Sequence, residues 1–303
     1  MRSLRGILAV SGHLAGRRAP SNTAYASPYL ALFSQALQIL AQPEPVRLQK
    51  LSAPDSGPNR GDEAGAAGGR NSIGKEILQG LRSAIEKVEA DATVNVVLVA
   101  SSVPKVFCAG ADLKEWGLMG LKEACEFSSF EALSIAAIAI VEGVAFGCGL
   151  ELVLPCDLRI CGANATFSLP ETGLAIIPGY VSKMALYFSS FCPTIAGKSR
   201  AKELIFTGRR FDAVEAVTMG VVNYCVPAGE AYKKNLELAQ EINRKGPLAI
   251  RMAKKAINQG MEVDLSSGLA VEEECYEQVL HTQDRLEGLA AFSEKRKPVY
   301  AGK

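Results

Sequence analysis

The sequence predicts an α/β fold, with buried strands alternating with amphipathic helices and a helical C-terminal region closing the chain. Three observations carry this. Short β-branched runs recur between residues 93 and 168. Helical periodicity fills the intervals and dominates after about residue 196. Small, glycine-rich turns join strand to helix. Strands interleaved with helices, then helices alone, indicate an α/β core with an α-helical appendage. At 303 residues, 48% hydrophobic and 21% charged, the chain can bury a sizeable core, which excludes global disorder.

Residues 1–43 hold Arg2, Arg5, Arg17 and Arg18 and no acidic residue. An Arg-rich, acid-free leader fits an organelle transit peptide better than a secretory signal, the alternative being a tail without function. The run Tyr29–Leu40 is broken by Ser34, Gln35 and Gln38, and it falls short of the ~20 apolar residues that a membrane-spanning helix needs. Residues 1–45 are thus expected to be leader and linker, 46–196 the α/β core and 197–303 the helical region. Residues 53–70, rich in Gly and Pro, read as loop.

Ile77, Leu78, Leu81, Ile85 and Val88 recur at helical spacing and predict a helix over 73–90. Thr93–Ala100 and Ile135–Val141 read as strands covered on both faces, as parallel sheets require. Phe107–Leu113 and Gly143–Gly149 read as turns ahead of helices, the second helix starting at Leu150. Leu158–Cys161 and Ala165–Ser168 read as short strands. Helices are expected over 201–206, 213–219, 230–243, 248–259 and 265–295, punctuated by Gly208, Gly220, Pro227, Gly246 and Gly260.

The formal net charge of +1 argues against a chain-wide basic surface for nucleic acid. Eight scattered cysteines form no CxxC pair, and the only histidines are His13 and His281. Zinc and Cys/His chemistry are therefore poorly supported, and reduced, buried thiols are expected.

Cys108-Ala109-Gly110-Ala111-Asp112 and Gly147-Cys148-Gly149-Leu150-Glu151 both end strands in small residues before helices. Free backbone N–H groups at two such turns, facing each other, can hold a developing oxyanion. Either turn alone is more often plain punctuation. Glu151 sits in the apolar frame Leu150-Glu151-Leu152-Val153-Leu154, and Glu171 follows Pro170. Two carboxylates in apolar surroundings can divide acid and base roles. The competing reading is a solvated helix residue and a charge favoured at a helix N-terminus. Lys295-Arg296-Lys297 is either a solvated face or a phosphate contact.

Taken together, Phe107–Glu115, Glu142–Asp157 and Phe167–Gly179 resemble, in order and spacing, the signature of the crotonase (enoyl-CoA hydratase) superfamily. The similarity spans roughly 71–179 and resumes over 197–303. It runs closest to mitochondrial enoyl-CoA hydratases of plants and to methylglutaconyl-CoA hydratases. The resemblance implies a spiral of ββα units with a helical trimerisation region, in a homotrimer or dimer of trimers of the mitochondrial matrix. It implies Glu151 and Glu171 as the catalytic pair that activates water against a 2-enoyl-CoA, with the backbone N–H groups of Ala111 and Cys148 as the oxyanion hole. It further implies acyl-CoA contacts at Ala109, Gly110, Asp112, Leu113, Lys114, Gly147 and Pro170. Gly179 then lies near the catalytic water, and Phe292 and Lys295 reach the CoA of a neighbouring subunit. Coenzyme A belongs to the substrate, so no separate cofactor and no metal are expected.

Four departures from the family pattern qualify this. Gly57–Arg70 stands where the family has its first strand, and its glycines disfavour a strand, so the sheet is expected to lack that element. The segment between Glu115 and Glu131 is short, and Tyr180–Ala196 replaces the family's Ala-Gly-Gly-Thr-Gln-Arg-Leu. Cys148 stands where glycine is usual; a positive φ there costs on the order of 1 kcal/mol. The alternatives are therefore a catalytically impaired relative, or another crotonase activity such as methylglutaconyl-CoA hydration with RNA binding. RNA binding is not expected: Lys75, Arg82 and Lys87 are interrupted by Glu76, Glu86 and Glu89.

Overall fold

The computed structural model describes residues 36–40, 47–51, 71–116, 130–178 and 196–303. Its strands are β1 (Ala36–Leu40), β2 (Arg47–Leu51), β3 (Val96–Val99), β4 (Val106–Cys108), β5 (Ala136–Val141), β6 (Val144–Phe146), β7 (Leu158–Gly162), β8 (Thr166–Ser168), β9 (Phe211–Asp212) and β10 (Tyr224–Val226). The helices are α1 (Lys75–Ala90), α2 (Leu113–Trp116), α3 (Cys148–Val153), α4 (Lys198–Thr207), α5 (Ala213–Thr218), α6 (Ala231–Asn243), α7 (Pro247–Gly260), α8 (Leu265–Leu280) and α9 (Gln283–Ser293).

The strands form a six-stranded sheet, order β10-β7-β5-β3-β1-β2, and a four-stranded sheet, order β4-β6-β8-β9. Successive strands alternate between them. β3, β5 and β7 are neighbours in the first sheet, and β4, β6 and β8 are neighbours in the second. Each coil therefore runs strand, strand, short helix, and successive coils stack in parallel register: Val97 opposite Ala137, Ile140 opposite Ile160, Ala145 opposite Phe167.

The expectation of two-sided burial holds. Val97 and Val99 of β3 face a large core with Ile77, Leu81 and Val88 of α1, while Val96 and Leu98 face a second core closed by Ala231 and Ala239 of α6. All four residues of β3 and all six of β5 are buried. This explains their unbroken hydrophobic runs.

One expectation is corrected. The sheet does not stop at β3: β1 lies parallel beside it, Ala36 opposite Val96, and β2 pairs antiparallel with β1. The place beside β3 is filled from residues assigned above to the leader, ahead of the expected core boundary at 46. Ala36–Leu40 contains neither Gly nor Pro, unlike 57–70. Residues 57–70, 117–129 and 179–195 lie outside the described residues, so the departures placed there are not addressed.

Strands β4, β6, β9 and β10 were not anticipated. The helix expected over 265–295 is two helices, because the Thr282 side chain accepts the Arg285 N–H and caps a new N-terminus. In the C-terminal region α7 packs along α8, with the two backbones close at Gly260 and Gly268.

Candidate active site

Because β4, β6 and β8 are adjacent and parallel, the segments leaving their C-terminal ends lie side by side. Those segments are Ala109–Asp112, Gly147–Glu151 and Leu169–Glu171. The carboxyl ends of parallel strands are where α/β folds place ligands. Local packing tightens the arrangement. A Cβ on Gly149 would lie 2.5 Å from the Cys108 carbonyl oxygen, and one on Gly110 would lie 3.3 Å from that of Phe146. The first two turns thus touch through glycines. The third is tied to the second, since the Gly147 N–H donates to the Ser168 carbonyl at 2.9 Å. A Cβ on Gly147 would fall 2.8 Å from Glu171 Oε1.

The positive φ at the second turn falls on Gly147, at 50°, and not on Cys148. The backbone strain expected at Cys148 is therefore absent, and its N–H stands in the first turn of α3, where helical N–H groups lack intrahelical acceptors. Ala111 forms a parallel bridge with Ile73. The Ile73 N–H donates to Gly110 at 2.8 Å and the Asp112 N–H to Ile73 at 2.9 Å. In such a bridge the hydrogen bonds go to the residues flanking Ala111, so the Ala111 N–H points away from Ile73.

Both glutamates are buried. Glu151 is 4% exposed on α3, whose six residues are all buried, and Glu171 is 8% exposed at the start of a 3-10 turn, Glu171–Leu174. Burial pushes the Glu171 carboxyl up to about 7, only partly offset by a backbone hydrogen bond. Its Oε2 has no hydrogen-bond partner among the described residues. The solvated-residue reading thus fails for both. Cys148 is the third member of the cluster: its thiol is hydrogen-bonded to Glu151 and lies in the field of Glu151, Cys108 and Glu171, and burial foremost drives its pKa far upward.

Around this centre Gly110 and Gly147 are buried, Ala109 and Asp112 half-buried, and Leu113, Lys114 and Pro170 exposed. Asp112 accepts the Lys114 N–H and so starts α2. Phe292 is 86% exposed on α9, and Lys295 is exposed just beyond it. One chain does not bring these two to the glutamates. Gly179 lies outside the described residues. The sequence reading passed over Cys108, fully buried against α3, with its thiol pushed up to about 12 by burial; its only signal was membership of the first turn. No group of three or more His, Cys, Asp or Glu among the described residues suits a metal ion.

Two sheets wound from ββα coils, with acid side chains and free N–H groups at the strand ends, define a crotonase-type enzyme. The chain belongs to the enoyl-CoA hydratase/isomerase family, whose model matches residues 68–303. It is 54% identical to the probable enoyl-CoA hydratase 2, mitochondrial, of Arabidopsis thaliana, over 86% of this chain and 87% of that one. It is 44% identical to the human methylglutaconyl-CoA hydratase, mitochondrial, over 77% and 71%. Among solved structures it matches an enoyl-CoA hydratase from Bacillus anthracis with a TM-score of 0.70 at 40% identity, covering 77% of this chain and 92% of that one.

Proposed function

We propose that the protein is an enoyl-CoA hydratase, a carbon–oxygen lyase that adds water reversibly across the double bond of a 2-enoyl-CoA. The observation that carries this is the pair of buried glutamates beside two free backbone N–H groups. Water attacks Cβ and gives a proton to Glu151, while Glu171 delivers a proton to Cα. The electron pair of the C=C bond passes to the thioester oxygen, and that enolate-like oxygen is held by the Ala111 and Cys148 N–H groups. These donors are main-chain groups, so they need no reorganisation as charge develops. A Glu171 carboxyl titrating at about 7 can hold a proton at neutral pH, which suits the acid role. No cofactor is required, since coenzyme A arrives with the substrate.

Two further parts of the reading rest on weaker supports. The Arg-rich leader and the mitochondrial names of relatives favour action in the mitochondrial matrix, on lipid-derived acyl-CoA. The helical region exposes Ile257, Met261, Leu265, Leu269 and Phe292 on one chain. Such exposure suits a subunit interface, here a homotrimer or dimer of trimers in which Phe292 and Lys295 meet a neighbour's substrate.

The test is loss of the conjugated enoyl-thioester absorbance with crotonyl-CoA and with methylglutaconyl-CoA as separate substrates. Turnover of crotonyl-CoA supports the reading. Turnover of methylglutaconyl-CoA alone moves the substrate to that of the human relative. Folded protein inactive on both overturns it in favour of a catalytically impaired relative. Sedimentation then distinguishes trimer from hexamer.

A further inference from the structure

The site contains one polar side chain that the mechanism above does not use. Cys148 contributes its backbone N–H to the oxyanion hole, yet its side chain also lies inside the cluster. Residues 148 and 151 are three apart on α3, so they share a helix face one turn apart. The thiol is 7% exposed. Its neighbours with titratable groups are Glu151 on its own helix, Cys108 at the end of β4, and Glu171 on the turn after β8. Two of these are carboxyls and the third is a thiol that also keeps its proton. No cation stands among those groups, so burial and negative neighbours together keep Cys148 as S–H. A neutral thiol between two carboxyl groups is a donor, and the hydrogen-bonded carboxyl is Glu151.

We propose that the Cys148 side chain is a positioning residue: its S–H donates to the Glu151 carboxylate, holds that group in one orientation and keeps it the base of the pair. This rests on the hydratase reading. The two carboxyls are then distinguished by their partners. Glu151 has a donor one helical turn away, whereas Glu171 Oε2 is buried with no partner among the described residues. A donor to one carboxylate and none to the other drives their proton affinities apart. Thiols are weak donors, so the contribution is modest. A net hydrogen bond of ordinary strength corresponds to roughly a two- to tenfold change in rate.

Three variants separate the hydrogen bond from packing. Cys148→Ser keeps a donor at similar size, Cys148→Val fills the volume without one, and Cys148→Ala removes both. Each retains the backbone N–H. Hydration of crotonyl-CoA is measured against pH. In parallel, the Glu151 carboxyl is titrated by difference infrared spectroscopy, its band assigned with Glu151→Gln. The expected result is a roughly two- to tenfold fall in kcat for Val and Ala, with KM little changed and Ser near the parent. The Glu151 band should titrate at higher pH in Val and Ala than in the parent or Ser. A Glu151 titration unchanged in Val and Ala overturns the proposal, as does a loss in Ser equal to that in Val. Should the parent lack hydratase activity, the functional reading falls, while the infrared titration still decides the role of the thiol. Should Ala fail to fold, Ser and Val carry the comparison.

Discussion

Glu171→Gln stabilises the protein above neutral pH relative to the parent, because folding holds the Glu171 carboxyl in a place that resists its charge. In the fold it titrates at about 7, against an ordinary value of 4.5, with burial as the main cause. Below pH 4.5 the carboxyl is protonated in both folded and unfolded chains and burial costs little. As pH rises toward 7, the unfolded chain releases the proton and the folded chain keeps it, so stability falls. Above 7 the loss is complete. The difference between 7 and 4.5, at about 1.4 kcal/mol per pH unit, makes the full loss about 3 kcal/mol. Glutamine cannot ionise, so this part of the pH dependence vanishes in the variant. The amide has its own packing and hydrogen-bond cost, but that cost does not vary with pH. The assay is urea unfolding of parent and variant at pH 4.5 and pH 8.5, at one protein concentration, since assembly shifts apparent stability. The variant should gain about 3 kcal/mol relative to the parent between those two pH values. Parallel pH dependences, or a gain of opposite sign, refute the reasoning.

Other consequences are as direct. Hydration by the parent should fall as pH rises through about 7, as Glu171 loses its proton, and a pH profile of kcat for crotonyl-CoA checks this. Glu151→Gln should lower kcat by roughly 10²–10⁴-fold while leaving the circular dichroism spectrum intact, a loss that steady-state kinetics would show. Gly147→Ala should cost stability and activity together, because it places a Cβ at φ 50° and 2.8 Å from Glu171 Oε1; about 1 kcal/mol or more in urea unfolding is expected from the backbone alone. Lys254→Met should destabilise by about 2–3 kcal/mol, less than the roughly 3–5 typical of a fully buried pair. Its ammonium, 9% exposed, bridges Asp157 at 2.8 Å and the Ile135 carbonyl at 2.9 Å, while Asp157 keeps some exposure to water.

Much of the architecture was legible because it rests on long, periodic segments. The Ile77-Leu81-Ile85-Val88 stripe returned as the buried face of α1, and the β-branched run at 93–100 contains β3. Strands of two or three residues carry no period, which is why β4, β6, β9 and β10 went unseen. Strand partnership is not a local property either. Nothing in Ala36–Leu40 says that it pairs beside Val96–Val99, and the glycine-rich stretch at 57–70 drew attention from it. The two glutamates differ in the same way. Glu151 announced itself as a charge in an apolar frame, and α3 is buried throughout. The environment of Glu171 comes from another coil, through the Gly147 backbone that lies against its carboxyl. Cys148 was read as a backbone problem; with the positive φ placed one residue earlier, the substitution matters instead for its side chain.

The ordering of β4, β6 and β8 also bears on how the protein acquires its chemistry. Each coil donates one segment to the site, and the coils pair across long sequence separations, Val106 with Val144 and Val144 with Thr166. Contacts of that kind form late and slowly, because chain closure must precede the reward. A chain with two coils docked owns the amide donors and Glu151 but lacks Glu171, and a free third coil carries an ordinary, solvated glutamate. The acid of the proposed pair comes into being only when the last coil lands on Gly147, so its titration can serve as a clock for the closing step of folding.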